Sequence, residues 1–137
     1  DELKKKCEGI ERIKFVGVVP DDEICGYMKA ASVFAFPSIT KNEAFGVVLA
    51  EAMFLRLPAV TFTIPGSGVN WVCVNEETGI EVPNRDFKAF AAAIDRLLTD
   101  DELRSRLADN AYSRIRDNFT MAKVKSIVNS EYDKILS

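Results

Sequence analysis

The chain has 137 residues, which suits one domain with a buried core, and 47% apolar with 28% charged residues is typical of a soluble globular protein. A net charge of -3 with mixed signs leaves no basic stripe for nucleic acid, and no apolar run approaches the roughly 18 residues of a membrane span. The charged opening, residues 1–6, is unlike a secretory signal. It predicts a helix already in progress, so we expect a fragment of a longer protein.

Histidine and cysteine usage narrows the chemistry further. The absence of histidine excludes His-based triads, most zinc catalysis and imidazole acid/base chemistry. The three cysteines, Cys7, Cys25 and Cys73, are too widely spaced for a disulfide framework or a metal knuckle. We therefore expect reduced thiols in a cytoplasmic protein.

The first half of the chain alternates short apolar runs with helical patterns. A Gly-rich turn at residues 65–68 follows one of these runs. β-Branched and aromatic runs bounded by proline or glycine predict strands, and apolar residues three and four apart predict helices. We predict strands at 13–19, 33–36, 59–62 and 80–82, with helices beginning at Asp21 and covering 45–55 and 69–74.

The second half is predicted to be helical. An amphipathic stripe from Phe87 to Leu98 is followed by helices that begin near Asp100 and after Thr120. Apolar strands separated by helices predict a Rossmann-like, three-layer α/β/α fold with a parallel sheet. Ligands bind such sheets at the carboxyl ends of the strands, which here means residues 17–21, 37–46 and 63–68.

The informative segment runs from the strand ending at Phe36 through a polar loop into an apolar helix. Glu43 precedes that helix, and residues 44–46 are predicted to form its first turn. The free backbone N–H groups of this turn and the helix dipole favour an anion such as a diphosphate. Gly46 would let the anion approach the backbone, because it has no side chain.

Glu51 lies eight residues after Glu43 and is the only ionisable residue between Ala44 and Leu55. A carboxylate buried in so apolar a helix needs a hydrogen-bonding partner, and ribose hydroxyls would supply one. The plainer interpretation is that Glu51 points to solvent and Glu43 is an ordinary acidic residue near a helix N-terminus. Their placement on one strand–loop–helix unit, around a glycine, favours a binding site.

These residues resemble the signature of retaining glycosyltransferases of family 4, in the C-terminal domain of the GT-B fold. The signature reads P-S, a variable loop, E-G-F-G and then E-A-M. The corresponding residues here are Pro37-Ser38, Glu43-Ala44-Phe45-Gly46 and Glu51-Ala52-Met53. Three shorter stretches, 15–17, 58–60 and 77–80, are similar to further motifs of the family, so the resemblance covers nearly the whole chain in order.

The resemblance implies a role for each matching residue. Glu43 is expected to be the catalytic residue that meets the hydroxyls of the donor sugar, and Glu51 to hold the ribose. The backbone amides of Ala44, Phe45 and Gly46 would face the sugar and phosphates. The remaining donor-binding residues implied are Val47, near the nucleoside, and Gly17, which lines the same cleft.

The resemblance also implies the setting of the domain. Residues 1–137 would form one partial nucleotide-sugar-binding domain that lacks its first strand–helix unit, and residues 120–137 a terminal helix packed toward an absent N-terminal domain. In the family, an arginine and a lysine from that missing unit grip the diphosphate. Lys41 is a loop lysine that we expect to be solvated rather than a substitute. The fragment alone should therefore be inactive.

The function implied is that of a hexosyltransferase. It would move sugar, with retention, from a nucleotide diphosphate sugar to a glycan or lipid-linked acceptor in bacterial surface polysaccharide biosynthesis. No metal or other cofactor is expected. The protein would be cytoplasmic, and peripheral association with the inner face of the membrane is compatible with a lipid-linked acceptor.

Departures from the pattern leave alternatives open. Ala44 replaces the usual glycine after the first glutamate, Arg56 stands where the family usually has glycine, and Trp71 is expected to be a packing aromatic. A dinucleotide-binding domain is disfavoured, since Gly66-Ser67-Gly68 lacks the third glycine and comes late in the chain. A nucleotide-sugar epimerase and a non-catalytic binding or scaffolding relative stay open.

Overall fold

A computed structural model describes residues 2–136. In the first part of the described chain, helices alternate with the three strands of one sheet, and the remainder contains helices alone. The elements are α1 (Glu2–Lys6), α2 (Asp21–Ala30), β1 (Phe34–Phe36), α3 (Val47–Phe54), β2 (Ala59–Phe62), α4 (Val69–Val72), β3 (Gly79–Val82), α5 (Phe87–Thr99), α6 (Asp101–Asn118) and α7 (Met121–Leu136).

The sheet is parallel, in the order β1-β2-β3. All four residues of the central strand β2 are buried. Successive side chains of a strand point to opposite faces, so Ala59 packs with α3 and α4 while Val60 and Phe62 pack with α5. Both faces of the sheet are therefore covered, which confirms the predicted α/β/α layers.

Helix α6 contributes side chains to the cores on both faces of the sheet. Leu103 and Leu107, in its first half, belong to the core under α5, whereas Ala111 and Ile115, in its second half, pack with α3 and α4. Its start is set by Asp100, whose carboxylate accepts a hydrogen bond from the backbone N–H of Leu103 at 2.9 Å. The predicted helix start near Asp100 is confirmed.

The segment 13–19 is not a strand, contrary to the prediction. It is irregular, and its apolar side chains from Ile13 to Val18 are exposed, with Val18 101% accessible. A strand needs a neighbour for its backbone hydrogen bonds, and the part of the chain that the structure describes gives this segment none. The apolar, β-branched pattern alone does not create a strand.

Helix α7 confirms the prediction of a helix after Thr120. None of its described residues is buried. Its apolar side chains are exposed instead, and they include Met121, Val124, Ile127, Val128, Ile135 and Leu136. Among residues 2–136, no helix has the length and apolar character needed to cross a bilayer.

Candidate functional site

The β1–α3 loop, residues 37–46, carries Glu43 back onto the start of α3. One carboxylate oxygen of Glu43, Oε1, accepts a hydrogen bond from the backbone N–H of Gly46 at 3.0 Å. Gly46 has a φ of 82°, in the left-handed region, and α3 begins only at Val47. The prediction that residues 44–46 form the first helical turn is therefore wrong. A left-handed residue at 46 ends the loop and lets the Glu43 carboxylate fold back.

The N-terminus of α3 is open to a ligand. No side chain caps it, and its first turn contains no acidic residue. The first intrahelical hydrogen bond joins the N–H of Ala50 to the carbonyl of Gly46 at 3.0 Å, so the amides of residues 47–49 precede the ladder. Those amides and the positive end of the helix dipole attract negative charge. The predicted helix start is thus present, but its free amides are those of residues 47–49 rather than 44–46.

Glu51 is exposed, as the plainer interpretation predicted, and is not a buried carboxylate in need of a partner. The core-facing positions of α3 are taken by Leu49, Ala52 and Met53, and helical periodicity places residue 51 on the outer side. There Glu51 lines a cleft of about 600 Å³ between α2 and α3. The other lining residues are Asp21, Ile24, Cys25, Met28, Phe54 and Leu55.

A second cleft, of about 440 Å³, lies on the other side of Glu51, between α3 and the junction of α6 with α7. It brings together three of the predicted site residues, Phe45, Val47 and Glu51. Its remaining lining is mostly apolar and comprises Ala50, Phe54, Ile115, Phe119, Thr120 and Met121. Glu51 therefore stands on the ridge between two clefts and is accessible from both.

Gly17 lies apart from these groups, in the irregular segment before α2. It has a φ of 73°, and a Cβ built on it would meet no heavy atom within 4 Å. The residue is a glycine because of its backbone conformation rather than because of crowding. Gly17 is not among the residues lining either cleft, although Asp21, four residues later, lines the first. Lys41 is an exposed loop residue, as expected.

Three residues that sequence reasoning missed hold the β1–α3 loop in place. The hydroxyl of Ser67 donates to the carbonyl of Glu43, and the N–H of Gly68 donates to the carbonyl of Ala44 at 2.8 Å. The amide of Asn84, after β3, donates to the carbonyl of Ile39 at 3.1 Å. The Gly-rich turn was visible in the sequence, but no local signal pairs it with a loop more than 20 residues earlier.

Trp71 is a packing residue, as predicted, at the base of the same region. Its ring contacts Phe119 edge-on with centroids 4.8 Å apart, and Phe45 contacts both rings, at 5.5 Å from Phe119 and 6.1 Å from Trp71. Trp71 is nevertheless 61% exposed. The guanidinium of Arg114 donates to the carbonyls of Trp71 and Val72 and so satisfies the carboxyl end of α4.

Arg56 is explained by the backbone at the end of α3. It has a φ of 61°, the left-handed conformation in which helices commonly end and which favours glycine. Its guanidinium pairs with Asp109 and lies over the ring of Tyr112, 4.5 Å from the centroid. Arg56 therefore ties α3 to α6, at the end of α3 away from Glu43.

Two titratable groups near the sheet have raised pKa values. Burial raises the pKa of the Cys73 thiol to about 12, and the negative charge of Glu81 adds to the shift. Burial also raises the pKa of Glu81, against hydrogen bonds from Asn70 and Thr63 that lower it. Neither group lines the two clefts beside Glu51. Residues 2–136 contain no group of three acidic, cysteine or histidine side chains placed to hold a metal ion.

Comparison with solved structures identifies the fold. Sucrose-phosphate synthase from Thermosynechococcus elongatus superposes with a TM-score of 0.83 at 28% identity, over 98% of this chain and 33% of that one. HepE of Anabaena, solved in complex with UDP-glucose, superposes with a TM-score of 0.82 at 22% identity, over 97% of this chain and 36% of that one. The fold is the Rossmann-like α/β fold of GT-B glycosyltransferases.

Comparison with known sequences agrees. The capsular polysaccharide biosynthesis glycosyltransferase CapM of Staphylococcus aureus is 36% identical over 105 residues, which are 77% of this chain. The matched part is 27% of CapM, so the chain spans only about a quarter of that relative. Residues 1–114 match the family model described as "Glycosyl transferases group 1". The chain belongs to the group 1 family of glycosyl transferases.

Proposed function

We propose that this chain is the donor-binding domain of a retaining glycosyltransferase. The enzyme transfers a sugar from a nucleotide diphosphate to a glycan or lipid-linked acceptor in bacterial surface polysaccharide assembly. Family membership and the name of CapM support the reaction and its setting, and the complex of HepE with UDP-glucose supports the donor class. The observation that carries the proposal is the placement of the Glu43 carboxylate beside the uncapped N-terminus of α3.

The diphosphate of the donor binds at the start of α3. The amides of residues 47–49 precede the helical hydrogen-bond ladder, and the helix dipole stabilises the negative charge that grows on the diphosphate as the sugar leaves. The amide of Gly46 is engaged by Glu43, so the amides from Val47 onward carry this contact, with those of Ala44 and Phe45 nearer to the sugar. The reaction then needs no metal held by this chain.

Glu43 orients the donor sugar by accepting hydrogen bonds from its hydroxyls. The Glu43 carboxylate is half-buried, and its bond to Gly46 spans a single loop turn, so it is preorganised before any substrate arrives. Its second oxygen is available for a sugar hydroxyl, since a carboxylate accepts several hydrogen bonds.

Glu51 binds the ribose, and the nucleoside occupies one of the two clefts beside it. Its exposure supports this role, because a solvated carboxylate can exchange water for ribose hydroxyls without a buried charge in the free protein. Val47 lines the second cleft together with Glu51, near the nucleoside. Gly17, in the irregular segment before α2, contacts the donor in the bound enzyme.

Residues 1–137 act as one partial domain of the enzyme. The exposed apolar side chains of α7 support its packing on an N-terminal, acceptor-binding domain. Catalysis needs that domain and the diphosphate-gripping residues outside this chain, so the chain alone is inactive. The working enzyme is cytoplasmic and meets lipid-linked acceptors at the inner face of the membrane.

Calorimetric titration of the full-length protein with UDP-, GDP- and ADP-sugars tests the proposal. We expect one nucleotide to bind selectively and Glu51→Gln to weaken its binding about tenfold, because glutamine still accepts a hydrogen bond but loses the charge, a difference of about 1–1.5 kcal/mol. Glu102→Gln, on the exposed surface of α6, is the matched control and should bind like wild type.

The outcomes separate the remaining functions. Selective binding that is weakened in Glu51→Gln, together with transfer to an acceptor, supports the proposal. Binding without transfer favours a non-catalytic relative, and conversion of the free nucleotide sugar without an acceptor favours an epimerase. Equal binding by Glu51→Gln and wild type would remove Glu51 from the site.

A further inference from the structure

The loop after β2 is hydrogen-bonded to the β1–α3 loop at Glu43, the residue that carries the candidate catalytic carboxylate. Ser67 donates its hydroxyl hydrogen to the carbonyl of Glu43, and the N–H of the next residue, Gly68, bonds the carbonyl of Ala44 at 2.8 Å. A Cβ built on Gly68 would lie 2.3 Å from that carbonyl oxygen, so only glycine allows the two backbones this close. The two loops are therefore in direct backbone contact around Glu43.

The hydroxyl of Ser67 both donates and accepts a hydrogen bond. Its oxygen accepts a hydrogen bond from the N–H of Val69, at the start of α4, at 3.2 Å. A serine hydroxyl has one hydrogen, and with its oxygen facing Val69 that hydrogen is directed to the Glu43 carbonyl. Ser67 thus links the backbone of Glu43 to a helix whose residues Val69 and Val72 are buried in the core.

Glu43 is consequently held at both of its ends. Its carboxylate is held by the N–H of Gly46, and its main chain by Ser67. An exposed loop without the second anchor would sample several backbone positions, and the carboxylate would move with it. A displacement of this kind is costly in an active site, because reacting groups must be held within a fraction of an ångström.

We infer that Ser67 is a positioning residue, whose hydroxyl sets the place of the Glu43 backbone and through it the carboxylate that meets the donor sugar. The inference rests on the function proposed for Glu43. Ser67 itself contacts no substrate. Sequence reasoning placed residues 63–68 at the ligand-binding edge of the sheet but gave Ser67 no role of its own, and the two hydrogen bonds to residues 43 and 44 supply one.

The test compares Ser67→Ala, Ser67→Thr and Ser105→Ala in the full-length protein. Two quantities are measured: amide hydrogen exchange in peptides covering residues 37–46, and kcat and KM for the donor selected by calorimetry. Ser67→Ala should speed exchange in this segment and lower kcat/KM about tenfold, roughly the effect of one net hydrogen bond. Threonine keeps the hydroxyl and should restore both. Ser105 is an exposed serine of α6, and its alanine variant should match wild type.

Each result bears on the inference. Faster exchange and lower kcat/KM in Ser67→Ala, both rescued by threonine, establish the positioning role. Unchanged exchange overturns it and leaves the proposed function standing. Faster exchange with unchanged kcat/KM also overturns it, because the loop is then held for folding rather than for catalysis. A wild-type protein that binds no nucleotide sugar overturns the proposed function and the positioning role together, and the calorimetric arm alone reveals that case.

Discussion

Gly46→Ala is the substitution that most directly probes how the candidate site is built. Gly46 is buried between the β1–α3 loop and α3, with a φ of 82°. An alanine in the left-handed region costs about 1–2 kcal/mol. Its Cβ would also lie 3.3 Å from the Cβ of Leu49 and 3.7 Å from the ring of Phe36, close enough to require a small shift of the helix start. We expect the free energy of unfolding to fall by about 1–2 kcal/mol.

The matched control is Gly26→Ala. Gly26 lies inside α2, with ordinary helical geometry, and an added Cβ would meet no heavy atom within 4 Å. Alanine there should raise the free energy of unfolding by about 0.5–1 kcal/mol, since glycine is a poor helix former. The same chemical change is therefore predicted to have opposite signs at two positions.

Urea unfolding of wild type and both variants, followed by far-ultraviolet circular dichroism, measures the two free energies. Donor affinity is measured alongside, and Gly46→Ala should weaken it because the amides at the start of α3 move. A Gly46→Ala variant as stable as wild type would show that residue 46 is not left-handed in solution. The argument for an open helix start beginning at Val47 would then fail.

Three further predictions concern stability and thiol chemistry. Arg56→Ala should lower the free energy of unfolding by about 1 kcal/mol, since it keeps the left-handed strain but loses the contacts with Asp109 and Tyr112. Arg56→Gly loses the same contacts but also removes the strain, so its free energy of unfolding should be close to that of wild type. Urea unfolding measures both, and equal losses in the two variants would contradict the prediction. A thiol reagent at about pH 8 should label exposed Cys25 but not Cys73, whose thiol is buried and has a pKa of about 12. Labelling of Cys73 in the native protein would refute its burial. The free energy of unfolding should also fall as the pH rises from 9.0 to about 12, because in this range the Cys73 thiol ionises only in the unfolded chain.

Much of the fold was predictable because local and global signals agree. An apolar run stopped by Pro37 marked β1 and one that follows Pro58 marked β2, and regular apolar spacing marked the helices of the second half. The start of α6 followed from a single capping aspartate, Asp100. These features depend on neighbours within one turn or one strand, which a sequence pattern reports directly.

One error arises where the outcome depends on distant partners. Residues 13–19 carry a strand pattern but find no strand to pair with among the described residues, so the pattern alone is insufficient. The case of Glu51 is local: its burial was considered because its neighbours in sequence are apolar. Helical periodicity instead turns Leu49 and Met53 inward and leaves Glu51 outside.

The candidate site shows the same division. The placement of Glu43 in the loop before α3 was predictable, because both belong to one continuous strand–loop–helix unit. The first residue of α3 was not, since the left-handed conformation of Gly46 delays the helix to Val47. The hydrogen bonds from Ser67 and Asn84 join loops that follow three different strands, and they exist only because the parallel sheet brings those loops to one edge. No local pattern in the sequence records such a contact.

The backbone conformation distinguishes the two departures from the family pattern, Ala44 and Arg56. Ala44 is not among the residues with a positive φ, and the backbone carbonyl that bonds Gly68 is the same for alanine as for glycine, so this change leaves the loop geometry intact. Arg56 does occupy a left-handed position, and its contacts with α6 offset the strain, at the end of α3 away from Glu43. By contrast, Gly46 matches the family signature, and at both Gly46 and Gly68 a side chain would be strained or would strike the backbone. These two glycines shape the Glu43 loop, which supports the proposal that this chain has a working donor site.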